Sequence, residues 1–295
     1  MTIIDGKKLA ENLRHKIANE VKEFSRPPGL AVILVGDDSA SQVYVRNKTK
    51  ACVEVGFYSD QIHKSANITQ EELLSEVRRL NDNKTIDGIL VQLPLPPHID
   101  TEVIIEAIIP EKDVDGFSSE NVGKLMQNKP FLSPCTPKGV MAMLASLNYE
   151  LRGKDCVIIG ASKIVGRPMS MELLNAGATV LVCHKETKEI AEKVRMADVV
   201  IAAAGAPNLV KADWIKEGAV VIDVGINRLE DGTLTGDVDF DEVKDKALAI
   251  SPVPGGVGPM TVAMLIENTL TAYLSLIHIS EPTRLLSISY AVLWF

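Results

Sequence analysis

Strand-length runs of near-continuous apolar residues, each closed by a glycine or polar turn, constrain this chain more than any other feature. They fall at residues 30–35, 88–93, 156–160, 179–183, 198–203 and 219–224. A strand with one wet face alternates apolar and polar residues, whereas an unbroken run marks a strand covered on both faces. Elsewhere Leu9, Leu13, Ile17, Val21 and Phe24 recur at spacings of three and four and make one helical stripe over 8–24. Thr69, with Glu72 three residues later, opens another helix as a capping box and places Leu73, Leu74, Val77 and Leu80 on its inner face. Strands that alternate with helices imply parallel sheets, which bind ligands beyond the carboxyl ends of their strands. The 295 residues suffice for two such domains.

Charge narrows the class of partner. Acidic residues outnumber Lys and Arg by 39 to 31, giving a net charge of −8 and a pI near 5.3. A nucleic-acid surface needs clustered cations, so no nucleic-acid partner is expected, while a local basic pocket is compatible with a small anionic ligand. Cys52, Cys135, Cys156 and Cys183 are widely spaced with no CxxC pair, which signals neither a metal site nor a disulfide framework and fits reduced thiols. The N-terminal residues lack an apolar signal core, and no later stretch reaches the roughly 18 uninterrupted apolar residues of a membrane span. A cytoplasmic location without membrane attachment is the expectation.

Three polar features stand out in the first half. Residues 41–55 read as a helix on which Tyr44 and Lys48, four apart, share one face. A phenol beside an amine on a packed helix suits proton transfer, and the same spacing suits a solvated surface pair. Gln92 is the only side-chain amide in the run 89–93, just before Pro94-Leu-Pro-Pro97. A buried amide needs partners for both its oxygen and its nitrogen, so Gln92 either satisfies backbone or faces a polar site. In Pro110-Glu-Lys-Asp-Val-Asp-Gly116, Asp113 and Asp115 lie in a turn-rich segment where Asx turns alone account for both.

The second half opens near Thr136, and its first strand runs into Gly160-Ala-Ser-Lys-Ile-Val-Gly166, then Arg167, Pro168 and a helix over 169–175. A strand, a glycine turn and a helix N-terminus make an anion site, because free backbone N–H groups and the helix dipole face the ligand. Ser162 stands where a dinucleotide fingerprint has its second glycine, so the turn fits either a phosphate site or a structural role. The strands that follow favour a Rossmann-like sheet. After the second of them comes Cys183-His184-Lys185, with a cation and no acid, which favours the 2′-phosphate of NADP over the free ribose hydroxyl of NAD. Ser251-Pro-Val-Pro-Gly-Gly-Val-Gly-Pro-Met-Thr261 then packs three glycines and three prolines into eleven residues ahead of a helix over 262–274. Such a loop brings backbone close to a flat ligand along a fixed path.

Five of these segments, Tyr44-Val-Arg-Asn-Lys48, Val91-Gln-Leu-Pro-Leu-Pro-Pro97, Lys112-Asp-Val-Asp-Gly-Phe117, Gly160 to Pro168 and Pro252 to Thr261, closely resemble the bifunctional methylenetetrahydrofolate dehydrogenase/cyclohydrolase (FolD) family. The resemblance extends over residues 1 to about 274. It implies an α/β protein of two domains separated by a cleft: a folate-binding catalytic domain of 1–138 with 262–274, and a Rossmann-like NADP-binding domain of 139–261. It implies NADP-dependent oxidation of 5,10-methylenetetrahydrofolate, then hydrolysis of the methenyl product to 10-formyltetrahydrofolate, by a homodimer. Lys48 is then the main acid/base group, Tyr44 lines the folate site, Gln92 positions Lys48, and Asp115 holds the pterin. Pro254, Gly255 and Gly256 fall on the substrate side, while Gly160, Ala161, Ser162, Lys163, Gly166, Lys185, Ile226 and Thr261 fall to NADP. A dehydrogenase without hydrolysis and a non-catalytic folate- or NADP-binding regulator are the alternatives. Residues 275–295 depart from the family pattern and read as cloning or adapter read-through, with a genuine extension as the second reading.

Overall fold

A computed structural model describes residues 1–280. Two compact units emerge among the described residues: Met1–Lys16 with Asp115–Leu265, and Ile17–Val114 with residues 266–280. The boundaries expected from sequence lie at 138/139 and 261/262.

The second unit is built on a three-stranded parallel sheet in the order Tyr58–Lys64, Gly29–Val35, Gly88–Val91. All seven residues of the central strand are buried, as its unbroken apolar run predicts. Ile33 sits opposite Ile62 on one side and Val91 on the other. The helix Gln70–Asp82 carries the predicted capping box, in which Glu72 N donates to Thr69 Oγ1 and the Glu72 carboxylate accepts from Thr69 N. Its apolar stripe packs Leu73, Val77 and Leu80 against Ile33 and Ile89. At its other end the buried Lys112 Nζ donates to the carbonyls of Leu80, Asn81 and Asn83 at 3.1, 2.6 and 2.9 Å. Those carbonyls gather at the helix C-terminus, where a cation is favourable, and burial holds the Lys112 pKa below its usual value.

Tyr58–Lys64 is absent from the sequence expectation because YSDQIHK is half exposed at a sheet edge and carries no apolar run. The strand expected over 88–93 ends at Val91. Gln92 N makes a further bond to Ile33 O, and Pro94 has no N–H with which to continue the ladder.

Within this unit Arg26 and Asp87 form a fork, with both N···O distances 2.7 Å, and Asp87 is 1% exposed. Asp87 also accepts from Gly29 N at 2.8 Å, where the central strand begins. The Arg26 guanidinium lies 4.7 Å from the centre of the Tyr273 ring, and Tyr273 OH donates to Arg26 O at 2.8 Å. Asp87→Ala strips the guanidinium and one strand N–H of their acceptor together. It is expected to destabilise the fold by about 2–3 kcal/mol, read as a lower urea midpoint. A change below about 0.5 kcal/mol would reject this account.

The first unit holds a six-stranded parallel sheet in the order Thr2–Ile3, Ala249–Ile250, Val220–Asp223, Val199–Ala202, Asp155–Ile159, Thr179–Cys183. Val157, Ile159, Val200, Val221 and Ile250 share its core. Thr179–Cys183 is not the buried strand its sequence suggests. It has one strand neighbour, and exposed or half-exposed residues run up to the buried Cys183. The helix Gly166–Asn175 begins three residues before its expected start, and a further helix spans Cys135–Ser146, where residues 140–147 read as helical. All four cysteines are buried free thiols, and burial pushes those of Cys52 and Cys156 up to about 12.

The last helix, Val257–Ser280, starts inside the Gly/Pro loop and outruns the expected 262–274. Its segment Val257–Ile277 is long and apolar enough to cross a membrane by length and composition, and more than half of its most apolar stretch is buried in the protein. Residues 275–280 continue this helix, and residues 281–295 of the atypical tail lie outside the described residues.

Candidate active site

Lys48 owes its position to the helix Ser39–Glu54. Asp38 caps it by accepting from Ser41 N at 2.7 Å, and Ser41, Val45, Ala51 and Cys52 form its buried face. Tyr44 and Lys48 therefore occupy a neighbouring stripe, with Tyr44 40% exposed and Lys48 half-buried. Lys48 Nζ donates to Gln92 Oε1 at 3.0 Å. The amide is itself held, because Gln92 Nε2 donates to Leu93 O at 2.7 Å. That second bond leaves the oxygen facing the amine, so the end of one strand fixes the direction of a side chain on a distant helix. A neutral acceptor orients the amine without adding a counter-charge, and among the described residues no carboxylate pairs with Lys48.

The two aspartates of the turn-rich segment part company. Asp113 is buried and its backbone bridges to Ile89 in the second unit, a structural placement. Asp115 is half-buried and belongs to the first unit.

The expected anion site takes shape after the strand Asp155–Ile159. Gly160 has φ of 123°, and a Cβ there would strike Ala203 O. A Cβ at Gly166 would strike Gly160 O and come within 3.0 Å of Ala161 Cα. Close backbone approach thus demands both glycines. Ser162, standing in place of a glycine, accepts through Oγ from Val165 N at 3.1 Å and Gly166 N at 3.4 Å, and Arg167 Nε donates to Ala161 O at 3.2 Å. Lys163 lies exposed on the same turn. Lys185 is 90% exposed at the side chain and lies 3.8 Å from Glu186, an acid one residue beyond Cys183-His184-Lys185.

Ile226, Pro254, Gly255 and Gly256 line one pocket with Asp223 and Leu234. Residues assigned separately to substrate and to cofactor thus share a wall. Thr261 is placed differently: its hydroxyl donates to Val257 O at 3.3 Å and lies 3.0 Å from Thr136 Oγ1.

Residues 4–115 match the family model of the tetrahydrofolate dehydrogenase/cyclohydrolase catalytic domain, and residues 134–276 match that of the NAD(P)-binding domain of the same enzymes. The chain belongs to this family. Among relatives of the tetrahydrofolate dehydrogenase/cyclohydrolases, a bifunctional protein FolD of Vesicomyosocius okutanii is 62% identical over 273 residues, 92% of this chain and 99% of that protein. The crystal structure of the bifunctional FolD of Campylobacter jejuni is 53% identical, covers 93% of this chain and 99% of its own, and superposes with a TM-score of 0.92. That of Trypanosoma brucei, complexed with NADP cofactor and inhibitor, is 42% identical with a TM-score of 0.91, covering 94% of this chain and 98% of its own. The catalytic-domain match contains Tyr44, Lys48, Gln92 and Asp115, and the NAD(P)-domain match contains the glycine turn, Lys185, Ile226, the Gly/Pro loop and Thr261.

Two residues with evident work in this family member escaped the sequence reading. Asp223 and Asp237 are 3% and 0% exposed and together receive backbone N–H groups from three loops. Burial pushes the Asp223 carboxyl up to about 6 against those hydrogen bonds. Neither aspartate carried a local signal: Gly236-Asp-Val-Asp239 runs on into Asp241 and Glu242 and reads as an ordinary solvated turn, while Asp223 merely closes an apolar run.

Proposed function

We propose that this chain oxidises 5,10-methylenetetrahydrofolate with NADP and hydrolyses the methenyl product to 10-formyltetrahydrofolate. The observation that carries this reading is the Lys48 amine held at 3.0 Å by an amide whose own orientation is fixed. Bound NADP supplies the hydride acceptor, so oxidation asks the chain mainly for alignment. The glycine turn fits the cofactor, since Gly160 and Gly166 let backbone pack on backbone so closely that the strand runs directly into a helix N-terminus. Gly160, Ala161, Ser162, Lys163 and Gly166 would hold the pyrophosphate, with Lys185 at the 2′-phosphate and Ile226 and Thr261 as further cofactor contacts.

Hydrolysis asks more of the side chains. Water attacking the cationic methenyl carbon must lose a proton, and the ring nitrogen that departs must gain one. An amine within reach of both serves both transfers. Lys48 fills that role, Gln92 holds it in place, and Tyr44 lines the folate site beside it. Asp115 binds the pterin, and Pro254, Gly255 and Gly256 contribute backbone to the substrate. Asp115→Ala is accordingly expected to raise the KM for the folate about tenfold or more while NADP affinity stays within about twofold, by steady-state kinetics and calorimetry. Equal losses for both ligands would remove Asp115 from the folate site.

The enzyme is further proposed to be a cytoplasmic homodimer, which light scattering on the purified chain tests at the level of the dimer. A single spectrophotometric experiment tests the activity. With methylenetetrahydrofolate and NADP, absorbance of reduced cofactor rises and the methenyl signal then decays; with NAD in place of NADP the first phase is slower. Reduction without methenyl decay would leave a dehydrogenase alone, and no signal at all would leave a binding protein.

A further inference from the structure

We propose that Asp237, braced by Asp223, is a positioning residue for the dinucleotide. The inference rests on the reading above that this unit takes NADP. Val199–Ala202 and Val220–Asp223 are neighbouring parallel strands whose last residues, Ala202 and Asp223, stand opposite each other. The loops that leave them lie at the carboxyl end of the sheet, where a dinucleotide binds. Asp237 Oδ2 accepts from Ala204 N at 2.6 Å and Gly205 N at 2.9 Å, and Oδ1 accepts from Ala206 N at 2.9 Å and Asn227 Nδ2 at 2.8 Å. One fully buried carboxylate thereby ties the loop after one strand to the loop after the next.

Asp223 holds Asp237 in turn. Its Oδ1 accepts from Asp237 N at 2.9 Å and Gly225 N at 3.0 Å, its Oδ2 accepts from Val238 N at 2.9 Å, and its own N–H donates to Ser251 Oγ at 2.8 Å. The effect reaches two parts of the cofactor site. Residues 224–226 line the pocket shared with the Gly/Pro loop. Ala203, next to the clamped Ala204, presents the carbonyl against which Gly160 of the glycine turn packs. Backbone N–H groups accepted by a carboxylate are among the stronger hydrogen bonds in a protein. Asp237 is 0% exposed and so acts on the dinucleotide only through the loops it positions.

Asp237→Asn keeps the volume and turns one acceptor into a donor facing N–H groups. Titration of NADP into this variant by calorimetry is expected to give a Kd raised about tenfold, with the KM for methylenetetrahydrofolate within about twofold of the parent. Asn227→Ala, which removes one donor to Asp237 and leaves the backbone intact, is expected to raise the NADP Kd about threefold and covers the case in which Asp237→Asn does not fold. Folded variants that bind NADP as the parent does would overturn the inference, as would a rise in both constants together, the sign of a general structural role. Absence of NADP binding by the parent chain would instead overturn the cofactor reading on which it rests.

Discussion

Lys48→Met is expected to lower methenyl hydrolysis by about a hundredfold or more and to leave a larger share of the dehydrogenase step. Methionine keeps an unbranched stem of similar length on the helix Ser39–Glu54, so the packing around Val45 and Cys52 is retained while the amine is lost. General acid/base catalysis contributes about 10²–10⁴-fold where a side chain moves the proton, and hydrolysis needs two such movements. Hydride transfer needs none from Lys48, so its loss reflects altered alignment alone. Gln92 Oε1 loses its donor in the variant, but the amide stays tied to Leu93 O, which limits the disturbance to the site itself. Purified variant assayed for both half-reactions decides the matter. Methenyl hydrolysis at close to the parent rate would end the assignment of Lys48 as the acid/base group.

Gly166→Ala carries the second large effect, on the cofactor. The added methyl meets the carbonyl oxygen of Gly160 and lies 3.0 Å from Ala161 Cα, both backbone, so the turn must open rather than a side chain swing away. Gly160 cannot yield easily, because its positive φ and its packing on Ala203 O fix it from the other side. A turn opened by even a few tenths of an ångström redirects the N–H groups at the start of Gly166–Asn175, the helix whose N-terminus would receive the phosphates. NADP affinity is expected to fall about a hundredfold or more by calorimetry, with the folate KM little changed. An unaltered NADP Kd would place the dinucleotide elsewhere than on this turn.

How much of this was readable beforehand depends on the range of the signal. The Thr69 and Glu72 capping box, the central strand Gly29–Val35 and the glycine turn are local patterns, and each formed where its residues indicated. Tyr58–Lys64 was invisible because an edge strand with half-exposed residues has no need of an apolar run. Thr179–Cys183 failed in the opposite sense: its apolar residues promised a covered strand, and its place at the edge of the sheet order left Leu181 39% exposed. In the site, Lys48 and Gln92 could each be picked out as unusual for their surroundings, yet neither spacing nor periodicity says that they touch. Asp237 could not be picked out at all, since four donors converge on it from residues 204–227.

The sequence by itself determined the parallel α/β character, the turn built for close backbone approach, the Gly/Pro loop and the family motifs. All of these follow from side-chain periodicity and from the steric freedom of single residues, which act over a few positions of chain. Only the tertiary structure decided that Thr2–Ile3 pairs with Ala249–Ile250, that the amide of Gln92 turns its oxygen to Lys48, and that Asp223 and Asp237 bind three loops together. Those outcomes depend on groups far apart in sequence meeting to satisfy buried hydrogen bonds, and nothing in the local pattern of either partner encodes the other.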